Sequence, residues 1–334
     1  MSAKTKKIIL AGILLVLAFL FLFRGNFPNA RVIQEKNNLT EINVGLSWIH
    51  EAQFAGFYAA DKYGYFADEG LKINLYPYND EDLAQELVNK KYDFAILQAD
   101  TLLLAREKGL PVKGVFADYQ IIPTVYFSKK SLNIRSPKDL IGKKIGAAYS
   151  EKYPLLAMIQ KESLPLKNIT IIDRIYDYSP LASGEYDVEA GWITDGDSVA
   201  SAIGEFNTIS PYEYGINWYA DILAVGEETL KDNPKLVESF VRALSRGWRK
   251  AIENPKECAL LAKQYNPELS DQHLVYVLEK SIPYIYSGED ILGWMNEPVF
   301  DDAQKILLEQ GVMKSSVNIS NVCDTGPITR GGGL

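Results

Sequence analysis

The sequence predicts an α/β protein of two Rossmann-like lobes joined by crossing strands, with a helical C-terminal region folded over the first lobe. Three observations lead there. Short apolar runs with the two-residue period of strands alternate with helical stretches over residues 41–128, and again over 129–222. A long, mostly apolar strand, Ile216–Val225, can carry the chain back to the first lobe. Beyond it the pattern is almost wholly helical, and such a region needs a partner to pack on.

In the first lobe Ile42, Val44 and Leu46 alternate with Asn43, Gly45 and Ser47, and an aromatic-rich helical stretch runs to about Phe66. Leu71, Ile73 and Leu75 mark a second strand, followed by a helix near Asp82–Asn89, a strand at Tyr92–Leu97, a helix at Thr101–Glu107 and a strand at Val112–Tyr119. This order argues for a mostly parallel sheet with helices on its faces. The second lobe starts after Thr124–Ser128. Ser136-Pro137 reads as a helix cap followed by proline at the first helical position. Lys144–Ala148, Ile169–Ile172 and Tyr186–Trp192 then read as strands and Pro154–Glu162 as a helix. After the return strand, Asn233-Pro234 caps a helix through about Ile252; Pro255–Gln264, His273–Ser281 and Val299–Glu309 follow. The expected division is a leader over 1–31, a first lobe over 32–128 and 223–315, a second over 129–222, and an irregular tail over 316–334.

The leader has its own signature. Lys4, Lys6 and Lys7 precede an unbroken apolar run from Ile8 to Phe23, closed by Arg24. At 1.5 Å per residue the run reaches about 24 Å, which suits a secretory signal or a short anchor. Pro28-Asn29-Ala30 is a poor cleavage site and no Cys follows the run, so the expectation is an uncleaved anchor with the bulk of the chain outside the membrane. Residues 1–31 hold five basic and no acidic residues, which leaves 30 Lys+Arg against 43 Asp+Glu in the rest, a net charge of −13. So acidic a body repels nucleic acid and anionic lipid.

Two Cys, Cys258 and Cys323, fit no metal-type spacing, and whether they pair is open. With only His50 and His273, zinc hydrolysis and His-based nucleophilic catalysis have little raw material. No phosphate-binding glycine loop, dinucleotide fingerprint, HExxH or GxSxG is present.

The candidate ligand residues sit at strand exits, where strand ends and helix N-termini converge. In Ser47–Tyr58, Trp48 and Phe54 offer faces for a planar ring, Gln53 an amide to read its edge, and the first helical turn free N–H groups. Phe57 and Tyr58, spaced for one helix face with Phe54, belong to the core. Gln98 and Asp100 follow the third strand, Asp100 as a helix cap. In the second lobe Tyr149 follows a strand in the same way, and Trp192 with Asp195 does so again. Trp48 and Trp192 from opposite lobes would clamp a flat heterocycle. Tyr219 and Asp221 on the return strand add a hydroxyl and a carboxylate, the latter suited to an amino group or a protonated ring nitrogen.

Gln53–Ala60 and Gly64–Leu71, Tyr214–Leu223 and Gly247–Pro255 together resemble the thiamine-pyrimidine-synthesis-like family of periplasmic binding proteins, over roughly residues 41–312. The resemblance implies a type II periplasmic-binding fold with a hinge. It implies capture of a small heterocycle such as a pyrimidine precursor of thiamine, delivered as a monomer to an ABC permease, without a cofactor. Relatives that serve signalling proteins, and eukaryotic enzymes that build the pyrimidine from an active-site His and pyridoxal phosphate, are the alternatives. Phe54 stands where that His would align, and no Cys-rich iron motif is present. Many relatives carry Asn-Glu-Pro where this chain reads Asp195-Gly196-Asp197.

Overall fold

The computed structural model describes residues 39–288 and 291–331. The expected anchor, Ile8–Phe23, lies outside the described residues. None of the helices described is long and apolar enough to cross a membrane.

The chain begins with β1 (Thr40–Gly45), α1 (Ala55–Lys62), β2 (Leu71–Tyr76), α2 (Leu83–Val88), β3 (Phe94–Leu97), α3 (Ala99–Glu107) and β4 (Val112–Tyr119). It crosses into the second lobe with β5 (Thr124–Lys129), β6 (Lys144–Gly146), α4 (Tyr149–Lys161), β7 (Thr170–Ile172), β8 (Val188–Trp192), α5 (Gly196–Ile203) and β9 (Phe206–Ile209). It returns with β10 (Ala220–Gly226), then α6 (Pro234–Glu253), α7 (Asp271–Ile285), α8 (Glu297–Glu309) and α9 (Gly326–Arg330).

The two sheets repeat one plan. The first has the order β2-β1-β3-β10-β4, with β1 parallel to β2 and β3, and β10 antiparallel to both its neighbours. The second has the order β7-β6-β8-β5-β9, and there β5 is the antiparallel strand. Each antiparallel strand is the one that has just crossed from the other lobe. This moves an expected boundary. Thr124–Lys129 belongs to the second sheet, and Ala220–Asp221 already to the first, so the exchange falls at 120–123 and 215–219. Pro123 cannot donate to a ladder and marks the break.

Alternation along the strands loads both faces of the first sheet. Phe94 and Ile96 enter one buried cluster with α1 and α6, while Ala95 and Leu97 enter the other with α3 and α8. Helix α6 buries Val237, Phe240, Val241, Leu244, Trp248 and Ala251, a stripe at three- and four-residue spacing. It meets α1 closely: a Cβ on Gly247 would stand 2.1 Å from the Gly56 carbonyl oxygen, and one on Gly56 2.3 Å from the Trp248 ring. In the second lobe α4 covers one face with Leu155 and Met158, and α5 the other with Val199.

The tail is not the irregular segment expected. Gly114 donates to Val322 O and accepts from Asp324 N–H, each at 2.9 Å, which lays the tail along β4. Ile328 of α9 is buried in the first-lobe core, and Arg330 pairs with Glu238 of α6 at 2.6 Å. Cys258 and Cys323 are both buried free thiols, in clusters on opposite faces of the first sheet.

Candidate functional site

Strand exits from both lobes converge on a cavity of about 630 Å³, a volume typical of sites for small organic ligands. The exits of β1 and β3 supply Ser47, Trp48, Gln53, Gln98 and Asp100. Those of β6, β7 and β8 supply Tyr149, Glu151, Arg174, Tyr176, Trp192 and Asp195. The crossing segments close the back with Pro123 and Trp218.

Asp221 organises the first-lobe wall from behind. Its side chain is buried, and it accepts three hydrogen bonds: from Ser47 Oγ (2.7 Å), Gln98 Nε2 (3.0 Å) and Gln53 Nε2 (3.1 Å). Its backbone is left-handed (φ +47°), a conformation that Asp tolerates better than most residues and that three converging donors hold in place. Burial raises the carboxyl to about 6, with the three hydrogen bonds opposing the rise. Asp221, expected in the site, is not among the residues lining the cavity but holds three that are, Ser47, Gln53 and Gln98.

The second-lobe wall is built around Arg174. Its side chain is only 4% exposed, and its guanidinium lies over the rings of Tyr176 (4.8 Å) and Tyr178 (5.4 Å). Glu151 Oε1 stands 3.7 Å from Nη1, too far for a hydrogen bond, and Nε and Nη1 are buried with no hydrogen-bond partner. The carboxylates around it are engaged elsewhere: Glu151 accepts from Ala148 N–H at 2.7 Å, and Asp195 from Tyr178 O–H at 2.6 Å and Trp192 N–H at 3.1 Å. Burial raises the Glu151 and Asp195 carboxyls, and lifts that of fully buried Glu189 to about 7.

Trp48 and Trp192, the residues of the expected clamp, both line the cavity, and each packs on a further aromatic ring. Trp48, 37% exposed, meets Tyr176 across the cleft at 5.4 Å between ring centres and 53° between planes. Trp192 rests on Tyr119 at 5.3 Å. A flat ring between two others needs roughly 7 Å between them, twice the carbon contact distance. Trp48 and Tyr176 therefore hold no ring between them and meet at the exposed mouth of the cleft, and Trp192 lines it.

Of the other expected residues, Gln53, Gln98, Asp100, Tyr149 and Asp195 line the cavity. Asp100 is buried and accepts from Thr101 N–H at 2.8 Å, inside the first turn of α3 rather than at its cap. Tyr149 is the most exposed of the group, at 71%. Phe54 and Tyr219 require correction. The short turn at Ala52–Phe54 directs Phe54 inward, where it is buried with its ring 6.5 Å from Phe57. Tyr219 is buried against Phe300, and its hydroxyl accepts from Asn296 N–H at 2.7 Å.

Sequence reasoning missed Arg174 and Tyr176. The signal existed: Arg174-Ile175-Tyr176 follows a short strand, the same exit position that singled out Trp48 and Trp192. It also missed His273, which ties the lobes together. Its Nε2 lies 2.8 Å from Glu51 and its Nδ1 2.7 Å from Asp197 of α5, and these two hydrogen bonds lift the imidazole to about 10. Gly196 passes so close to Tyr276 that a Cβ would sit 2.2 Å from its hydroxyl. The Asp195-Gly196-Asp197 turn thus anchors Trp192, admits α7 and meets His273. His50 is occupied by Tyr58, 3.0 Å from its hydroxyl, and stacks on Tyr265 at 4.5 Å.

The relatives agree with this architecture. A riboflavin-binding protein, RibY, from Chloroflexus aurantiacus is 30% identical over 87% of this chain and 86% of its own length. A formylaminopyrimidine-binding protein from Halalkalibacterium halodurans is 25% identical over 84% and 92%. Among solved structures, the periplasmic aliphatic sulphonate binding protein SsuA of Escherichia coli superposes with a TM-score of 0.70 at 13% identity, over 84% of this chain and 91% of that one, which shows a shared periplasmic-binding fold. The family described as NMT1/THI5 like matches residues 51–258, and this chain belongs to it.

Proposed function

We propose that this chain is an extracytoplasmic solute-binding protein that closes on a small planar nitrogen heterocycle and delivers it to an ABC permease, with no chemistry of its own. The observation that carries the reading is the 630 Å³ cleft between lobes joined by crossing strands, with aromatic rings at its mouth and amides in its wall. Two relatives are named for binding riboflavin and formylaminopyrimidine, both flat nitrogen heterocycles. The apolar run Ile8–Phe23 supports tethering of the chain outside the membrane.

Non-catalysis is supported by the histidines. The chain has two, neither lines the cleft, and each ring is held by other side chains. At the position where a synthase of this family would need an imidazole, Phe54 is buried in the core.

Calorimetric titration with formylaminopyrimidine and with riboflavin tests the reading. The wild type should bind at least one of them, one molecule per chain. Trp48→Ala, which opens the mouth, should weaken that binding by about fivefold, the scale of one aromatic contact of ~1 kcal/mol. Binding of neither compound by the wild type contradicts the reading.

A further inference from the structure

The amide groups of Gln53 and Gln98 have a fixed polarity. An ionised carboxylate only accepts hydrogen bonds, so both amides must turn their Nε2 donors toward Asp221. That leaves each Oε1, an acceptor, as the end available to the cavity that both side chains line. The opposite wall has the reverse character. Arg174 can only donate, two of its nitrogens donate to nothing, and burying such donors unpaired is costly. The surroundings of Arg174 also limit what it can take. Glu151 Oε1 lies 3.7 Å from its Nη1, and Glu151 and Asp195 line the same wall, so an anionic group, sulfonate or phosphate, would meet carboxyls there.

We propose that the cleft reads its ligand at two edges: Gln53 and Gln98, turned outward by Asp221, accept from N–H donors, and Arg174 donates to a neutral carbonyl oxygen. This rests on the solute-binding reading above and narrows it to uncharged lactam, amide or aminopyrimidine heterocycles, excluding sulfonates and phosphate esters. Asp221 is a positioning residue that never touches the ligand.

Calorimetric titration of the full chain, with riboflavin, 3-methylriboflavin and formylaminopyrimidine as probes, tests it. Methylation at N3 removes an N–H and leaves both flanking carbonyls. Wild-type protein should prefer riboflavin to its N3-methyl form by about tenfold or more, the consequence of leaving a buried acceptor unpaired. Gln98→Met, which keeps the length and removes the acceptor, should bring that preference toward unity. Asp221→Asn supplies a donor of its own, turns one amide round and should reduce the preference while leaving the melting temperature in place, because Asn suits the left-handed backbone. Arg174→Gln should weaken riboflavin and its N3-methyl form alike, by about tenfold. For formylaminopyrimidine, Gln98→Met and Arg174→Gln should each weaken binding. Equal affinity of the wild type for the two flavins, or a preference and affinities unchanged in Gln98→Met and Arg174→Gln, overturns the proposal and leaves the solute-binding reading standing. Binding of no probe by the wild type overturns the reading itself.

Discussion

Asp221 takes one position, and its neighbours depend on that position and on its charge. Its carboxylate is shared by Ser47, Gln53 and Gln98, and burial has moved it to about 6, close to physiological pH. The folded value lies above the ordinary one near 3.9, so the stability linked to this proton is complete below about 3.9 and lost as pH rises through about 6. Ligand binding runs the other way. Once protonated, one oxygen becomes a donor and the group no longer compels both amides to face it with Nε2, which weakens the acceptors in the wall. Riboflavin affinity should therefore fall between pH 7 and pH 5 in the wild type and stay weak and flat in Asp221→Asn, measured by calorimetry across that range. Sequence alone placed Asp221 at the crossover but could not reveal its direction. A one-residue backbone turn to positive φ decides whether a strand side chain faces a cleft or lies behind it, and hydrophobic periodicity carries no trace of such a turn.

At the scale of elements, the contact between α1 and α6 depends on the absence of two side chains. Gly56 and Gly247 let one helix backbone reach the other, and Trp248 fills the space beside them. Gly247→Ala has no empty space to use and faces backbone rather than a movable side chain, so it should cost about 1–3 kcal/mol, read as a lower denaturant midpoint at unchanged slope. Elements with strong periodicity were legible: β1, β4 and α6 follow their apolar spacing closely. The boundary between lobes was not. Thr-Val-Tyr-Phe-Ser-Lys of β5 follows β4 after a short turn, and a period-two pattern says that a strand exists without saying which sheet it joins. The tail failed for a different reason. Its buried aliphatic residues, Ile319, Val322 and Ile328, are too sparse to form a period, and their order comes from docking on β4 and α6.

At the scale of the whole molecule, His273 joins Glu51 of the first lobe to Asp197 of the second. No other titratable group shifts it in either direction beyond burial, which lowers it. Its folded value of about 10 lies above the ordinary 6.5, so its contribution is complete below 6.5 and is lost as pH rises through about 10. The wild-type melting temperature should fall between pH 7 and pH 10, whereas His273→Gln should start lower and lose less over that interval. Scattering at pH 7 should also show a larger radius of gyration for that variant, because the lobes lose a bridge. The central claim, that the cleft captures a neutral flat heterocycle, is tested most directly by one calorimetric comparison. Wild-type protein is titrated with formylaminopyrimidine and riboflavin in one set of runs and with methanesulfonate in another. The account predicts saturable one-to-one binding of at least one heterocycle and no heat from the sulfonate. Saturable sulfonate binding with both heterocycles silent would contradict it.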